Sequence, residues 1–147
     1  MGDAGEGLIS ARLEPAPAER FNRLRSQLGV SSFGINQIVL QPGERNRIHR
    51  HKRQEEVYLV LEGTLTLIVE GESHDYGIGE LVRVAPSVRR QLVNRQRTAV
   101  SLLALGGHTE HEHEPRDAEA FNDWDETEPG TPQTVPLPAE LSDVELA

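Results

Sequence analysis

From Val30 to Leu105 the chain is a succession of short runs with a two-residue period, separated by glycine and proline, and this pattern restricts the fold more than any other feature. Phe33, Ile35, Gln37 and Val39 alternate with Ser32, Gly34, Asn36, Ile38 and Leu40, and Gln41-Pro42-Gly43 closes the run. Further strands are expected at Ile48–His51, Glu56–Leu61, Thr64–Val69, Ser73–Tyr76, Leu81–Val84, Val88–Asn94 and Ala99–Leu105. Short strands at regular spacing between turns indicate an all-β sandwich or barrel. Val57–Leu61 and Val100–Leu105 are apolar on both faces, so one face fills the interior and the other needs a second layer. A flanking helix or a second copy would supply it, and a homodimer is the expectation.

The flanks read differently. Residues 1–16 are rich in Gly, Ala, Glu and Pro without periodicity, a poorly ordered lead-in. Ala18–Leu28 places Phe21, Leu24 and Leu28 at helical spacing with Gly29 to end the turn, which predicts a short outer helix. Residues 1–29 are thus lead-in and helix, 30–106 the β domain, and 107–147 a tail. In the tail, Asp117–Trp124 offers Phe121 and Trp124 as a one-turn anchor, and residues 125–147 are expected to be irregular or disordered. No internal repeat is evident.

A chain of 147 residues suits one domain with a single core. The net charge of −9 is unevenly spread. Residues 1–108 carry 12 acidic and 14 basic side chains, whereas residues 109–147 carry 12 acidic side chains and one basic, Arg116. A near-neutral core with an acidic tail lacks the basic footprint of a nucleic-acid binder. No apolar run approaches the length that spans a bilayer, and the N-terminal stretch has no apolar segment of the secretory kind. With no cysteine there is no disulfide, thiolate ligand or cysteine nucleophile. A cytoplasmic protein is expected.

Chemistry concentrates between Gly43 and Gly63. His49 and His51 lie two residues apart on an expected strand and so project from one side. Glu56 follows on the next strand, while the competing Glu55 points to the opposite face. Two imidazoles and a carboxylate converging from adjacent strands form the facial set used by divalent first-row metals, with open positions left on the ion. Zn, Fe, Mn or Ni suit such donors. The competing reading is a pair of surface histidines in the basic loop RIHRHKR.

The spacing of Gly43, His49, His51, Glu56 and Gly63 resembles the first motif of the cupin superfamily, G-x5-H-x-H-x4-E-x6-G, at every defined position. A second motif, G-x5-P-x-G-x2-H-x3-N, is matched poorly. Gly79 begins it, Pro86 falls one residue late, Val88 replaces a glycine, and Asn94 lies one short of the usual asparagine. Gln91 stands where that motif has its fourth ligand, a histidine. The resemblance covers about Phe33 to Leu105 and implies a double-stranded β-helix of the jelly-roll type, similar to small single-domain bacterial cupins of the type 2 kind. It also implies that His49, His51 and Glu56 are metal ligands. Three readings of Gln91 stand: a weak fourth ligand, a hydrogen-bond partner of metal-bound water or substrate, or the mark of a site that has lost metal.

Other side chains have a functional and a plain reading. Tyr58, two residues after Glu56, either orients a ligand or simply fills the barrel. Arg47, Arg83, Arg89 and Arg90 either hold an anionic substrate at the mouth or are solvated. His74 is expected in an exposed hairpin turn. His108, His111 and His113 alternate with Glu110, Glu112 and Glu114 in a solvated or adventitiously metal-binding stretch, from which a histidine could replace the missing ligand. No acyl-transfer or nucleotide-binding motif is present. Three functions are compatible: a metal-dependent enzyme of the oxygenase or isomerase type acting on a small oxygen-bearing substrate, a binding or sensory module using the same pocket, and a metal-free structural barrel. In the first, Tyr58 and Gln91 orient the substrate.

Overall fold

The computed structural model describes residues 7–15, 20–107 and 117–147. Its strands are β1 (Phe21–Asn22), β2 (Gly34–Leu40), β3 (Ile48–His51), β4 (Glu55–Glu62), β5 (Leu65–Val69), β6 (Glu72–Tyr76), β7 (Leu81–Val84), β8 (Arg90–Val93), β9 (Val100–Gly107) and β10 (Ala118–Phe121). A short helix α1 (Leu24–Leu28) and a 3-10 turn at Asp143–Glu145 complete the elements. Two five-stranded antiparallel sheets, in the orders β1-β2-β9-β4-β7 and β10-β3-β8-β5-β6, make up the jelly-roll barrel.

Alternation along each strand builds the interior. Ile38 and Leu40 of β2, Val60 of β4, Leu65 and Leu67 of β5, Leu92 of β8 and Val100 and Leu102 of β9 join one buried cluster. Their in-register partners fix which face each strand presents, since a one-residue slip would turn the whole set outward. The two strands apolar on both faces, β4 and β9, pair over seven register positions, with a bulge between Val60 and Glu62.

Two expectations about the flanks are corrected. The predicted helix over 18–28 shrinks to Leu24–Leu28, and Phe21–Asn22 pairs instead with Ile38 and Gln37 at the edge of β2. Unpaired backbone at that edge competes successfully with helical spacing. The buried Asn22 amide then donates to Gln37 Oε1 at 3.0 Å. Ala18 and Glu19 of the expected helix lie outside the described residues, whereas Gly29 does end the helix with a φ of 69°.

The expected one-turn anchor at 117–124 is a strand: β10 pairs with β3, with Ala118 opposite His51 and Ala120 opposite His49. Phe121 and Trp124 still anchor it, because the Arg89 guanidinium sits 5.3 Å and 5.8 Å from their ring centres. Beyond it the chain is irregular yet fastened: Arg47 Nε donates to Val135 O at 2.6 Å, Arg45 Nε to Ala139 O at 2.8 Å and Leu141 N to Gly43 O at 2.9 Å. His74 is exposed as expected, but within β6 and not in its turn.

Candidate metal centre

His49 and His51 leave β3 on the barrel side, and Glu56 and Tyr58 leave β4 toward them. Ligand atoms of His49, His51 and Glu56 all fall within 4.8 Å of one another. His51 Nε2 is 3.3 Å and His49 Nε2 3.9 Å from Glu56 Oε1, and the two rings meet edge to face at 5.6 Å. Glu55, on the other face of β4, pairs with exposed Arg83 at 2.6 Å. The surface-pair reading of the histidines does not hold, as their side chains are 16 % and 13 % exposed.

Each imidazole is oriented through its other nitrogen. His49 Nδ1 lies 2.9 Å from Arg47 O, an acceptor only, so this nitrogen donates and Nε2 is the one turned to Glu56. His51 Nδ1 lies 3.0 Å from Asp117 Oδ2, which fixes the same arrangement. Asp117 is itself buried and accepts the backbone N–H groups of Arg53 at 2.9 Å and Gln54 at 3.2 Å. Carboxylate or carbonyl behind histidine is the usual backing of a metal ligand. Two donors each about 2.1 Å from one ion stand roughly 3.0–3.4 Å apart at right-angled to tetrahedral geometry. At 3.3 Å the His51–Glu56 pair already has that spacing, and His49, 3.9 Å from Glu56, would have to close in for all three donors to reach one ion.

Arg90 and Tyr58 complete the cluster. Arg90 of β8 is the register partner of His49 and is wholly buried. Its Nη2 donates to Glu56 Oε1 at 2.7 Å, its Nη1 to Val88 O at 2.8 Å, and Tyr58 Oη donates to Glu56 Oε1 at 2.7 Å. Burial alone would raise the Glu56 pKa, but the adjoining His49 and His51 rings and the Arg90 charge outweigh it and hold the carboxyl well below its ordinary range. Burial, together with the Glu56 charge, pushes the Tyr58 phenol well above its usual value, so it remains a donor. Glu56 is thus an ionised acceptor whose Oε1 meets Arg90, Tyr58 and the two imidazole Nε2 atoms.

Gln91 is not in this cluster, and the expectations for it as ligand or substrate partner are corrected. On β8 the residues facing inward are Arg90 and Leu92; Gln91 lies on the opposite face, where its Nε2 donates to Asn46 O at 2.9 Å. Of the four arginines considered for the mouth, Arg83 and Arg89 are engaged with Glu55 and Glu70, Arg90 is inside, and Arg47 lies at a cavity beside His49. His108, His111 and His113 lie outside the described residues. Asp117 had no place in the sequence-based expectation, and Arg90, considered there only for the mouth, is instead buried against Glu56.

Residues 36–106 match the cupin domain family. The barrel is a cupin domain. A sugar phosphate isomerase of the cupin superfamily from Silicibacter pomeroyi DSS-3 superposes with a TM-score of 0.61 at 26 % identity, covering 81 % of this chain and 80 % of its own. A cupin protein from Bacteroides fragilis gives 0.58 at 19 % identity over 70 % and 88 %, and a Cupin 2 conserved barrel domain protein from Salinispora arenicola CNS-205 gives 0.57 at 21 % over 69 % and 93 %. No curated protein matches the sequence. No helix among the described residues is long and apolar enough to cross a membrane.

Proposed function

We propose that this cupin binds a divalent first-row metal through His49 Nε2, His51 Nε2 and Glu56, and that it binds or transforms a small oxygen-bearing molecule there. The observation that carries the reading is the backing of both imidazoles at Nδ1, by Arg47 O and Asp117, with the ligand atoms of both rings and Glu56 gathered within 4.8 Å. A bound ion would act as a Lewis acid toward an oxygen of the substrate. The chain's own part is to present three donors, keep Glu56 ionised through Arg90, and hold a neutral phenol, Tyr58, behind the carboxylate. Tyr58 is spent on Glu56, which favours a positioning role over direct contact with substrate. An isomerase acting on a phosphorylated sugar is the second reading, favoured by the 26 % identity to the Silicibacter pomeroyi protein.

Elemental analysis of protein purified without added ions tests the metal. About one equivalent in the wild type and almost none in His49→Ala is expected, with turnover or oxygen uptake screened on the loaded protein to separate enzyme from binding module. Metal at the same stoichiometry in both proteins would contradict the site.

Asp117 offers a finer check. Because it fixes the His51 tautomer, Asp117→Asn is expected to weaken metal affinity about 10–100-fold in chelator competition. An unchanged affinity would remove it from the site.

The outer face of β7 and β2 bears Leu81, 63 % exposed, and, just before β2, Phe33, 42 % exposed. We assign this face to a second copy of the chain. Sedimentation equilibrium should return twice the 16.3 kDa chain mass, and a monomer at micromolar concentration would contradict it.

A further inference from the structure

A cavity of about 400 Å³ opens beside the cluster, with His49 in its wall. It lies between β1, at the edge of one sheet, and the start of β3 in the other, and residues of the C-terminal segment close it. Its size is that of a small-molecule site. Its walls divide by chemistry. One side is apolar: Phe21, Pro132 and Leu137, with Phe21 and Leu137 left 42 % and 49 % exposed.

The other side is a set of donors. Arg20 is already engaged, with Nη2 on Glu44 at 3.0 Å and Nη1 on Arg45 O at 3.0 Å. Three neighbouring groups have no acceptor among the described residues: the Arg23 guanidinium, the terminal nitrogens of Arg47, and Asn46 Nδ2. Arg47 uses only Nε, on Val135 O, and Asn46 uses its Oδ1 to accept Leu92 N. No carboxylate lines the cavity among the described residues. Unmatched donors with two positive charges call for a ligand that brings acceptors and negative charge, and guanidinium groups suit planar or tetrahedral oxyanions.

We propose that this cavity binds an organic anion with an apolar body, its phosphate or carboxylate head on Arg23, Arg47 and Asn46 and its body against Phe21, Pro132 and Leu137. Because His49 lines the cavity and is also one of the three proposed metal ligands, the bound anion lies beside the metal centre; in that respect the inference rests on the metal-binding reading and names the substrate class for it. It also separates the two functional readings, since a polyhydroxylated sugar would lose its hydroxyl hydrogen bonds against the apolar wall.

The test is calorimetric titration of the full chain, both metal-loaded and chelator-stripped, with phenyl phosphate, 4-phenylbutyrate, glucose 6-phosphate and inorganic phosphate. Phenyl phosphate or 4-phenylbutyrate is expected to bind about tenfold or more tightly than the two polar anions, and which of them leads identifies the head group. Arg23→Ala, an exposed site whose change leaves the fold intact, should weaken that ligand about tenfold through loss of a charge-assisted contact. Leu137→Ala should weaken it several-fold, with metal content unchanged in both variants. Glucose 6-phosphate binding as tightly as phenyl phosphate, affinity indifferent to Arg23→Ala, or metal uptake without any anion binding would overturn the proposal. Anion binding as expected in a protein that takes up no metal would support the cavity and sink the metal reading alone.

Discussion

Arg90→Met is expected to destabilise the protein by about 3–5 kcal/mol, the usual cost of leaving one partner of a buried ion pair uncompensated. Arg90 has no solvent exposure, and Glu56, 13 % exposed at its side chain, depends on it at 2.7 Å. Methionine fills much of the same volume, so the loss comes from the stranded carboxylate and the unmet Val88 carbonyl more than from a void. The double variant Arg90→Met, Glu56→Gln removes both charges and should recover most of the loss. Urea unfolding in the presence of a chelator measures both without a contribution from bound metal. A single-variant loss below about 1 kcal/mol, in the range of exposed pairs, would mean that the pair is solvated and the interior placement of Arg90 is wrong.

Gly63→Ala should cost about 2–5 kcal/mol. Gly63 has a φ of +75°, where a side chain is strained by about 1–2 kcal/mol. A Cβ there would stand 2.6 Å from Ala99 O and 3.0 Å from Val100 Cα, both backbone atoms of the approach to β9. Backbone cannot swing aside as a side-chain tip does, so the β4–β9 register would have to yield, adding roughly 1–3 kcal/mol. Gly71→Ala is the control, with a φ of +86° but nothing within 4 Å of its Cβ, and should show the conformational strain alone. Equal losses at the two positions would contradict the close approach. The last glycine of the cupin motif is thereby explained as a packing requirement next to the site, and not as part of its chemistry.

The barrel was legible because most of its strands bury one face, and a two-residue period then declares both strand and direction. Ile48–His51 and Leu81–Val84 are found at the predicted limits. His49, His51, Glu56 and Tyr58 followed from the same alternation on β3 and β4. It failed on β8, where all four residues are buried, so hydrophobic pattern carries no parity. There the loosely matched second motif chose Gln91, one residue out of phase, and Arg90 took the inward place.

Asp117 had no local signal. It meets His51 across 66 positions, brought there by a strand whose pairing with β3 depends on an edge left open by the rest of the fold. Phe21–Asn22 went the same way, drawn from helical spacing to the open edge of β2. Composition alone marked the acidic tail as irregular chain. Its carbonyl contacts to Arg45 and Arg47 are backbone interactions that composition does not record.

The claim on which the functional account depends is that His49, His51 and Glu56 hold one ion. Anomalous diffraction from crystals of the protein as purified, collected on both sides of the absorption edge of the metal that elemental analysis finds, tests it most directly. One peak is expected about 2.0–2.3 Å from His49 Nε2, His51 Nε2 and a Glu56 carboxylate oxygen, with Arg90 beside it and Gln91 turned away. No peak between these three side chains in crystals of metal-supplemented protein, or a peak coordinated by Gln91, would contradict it.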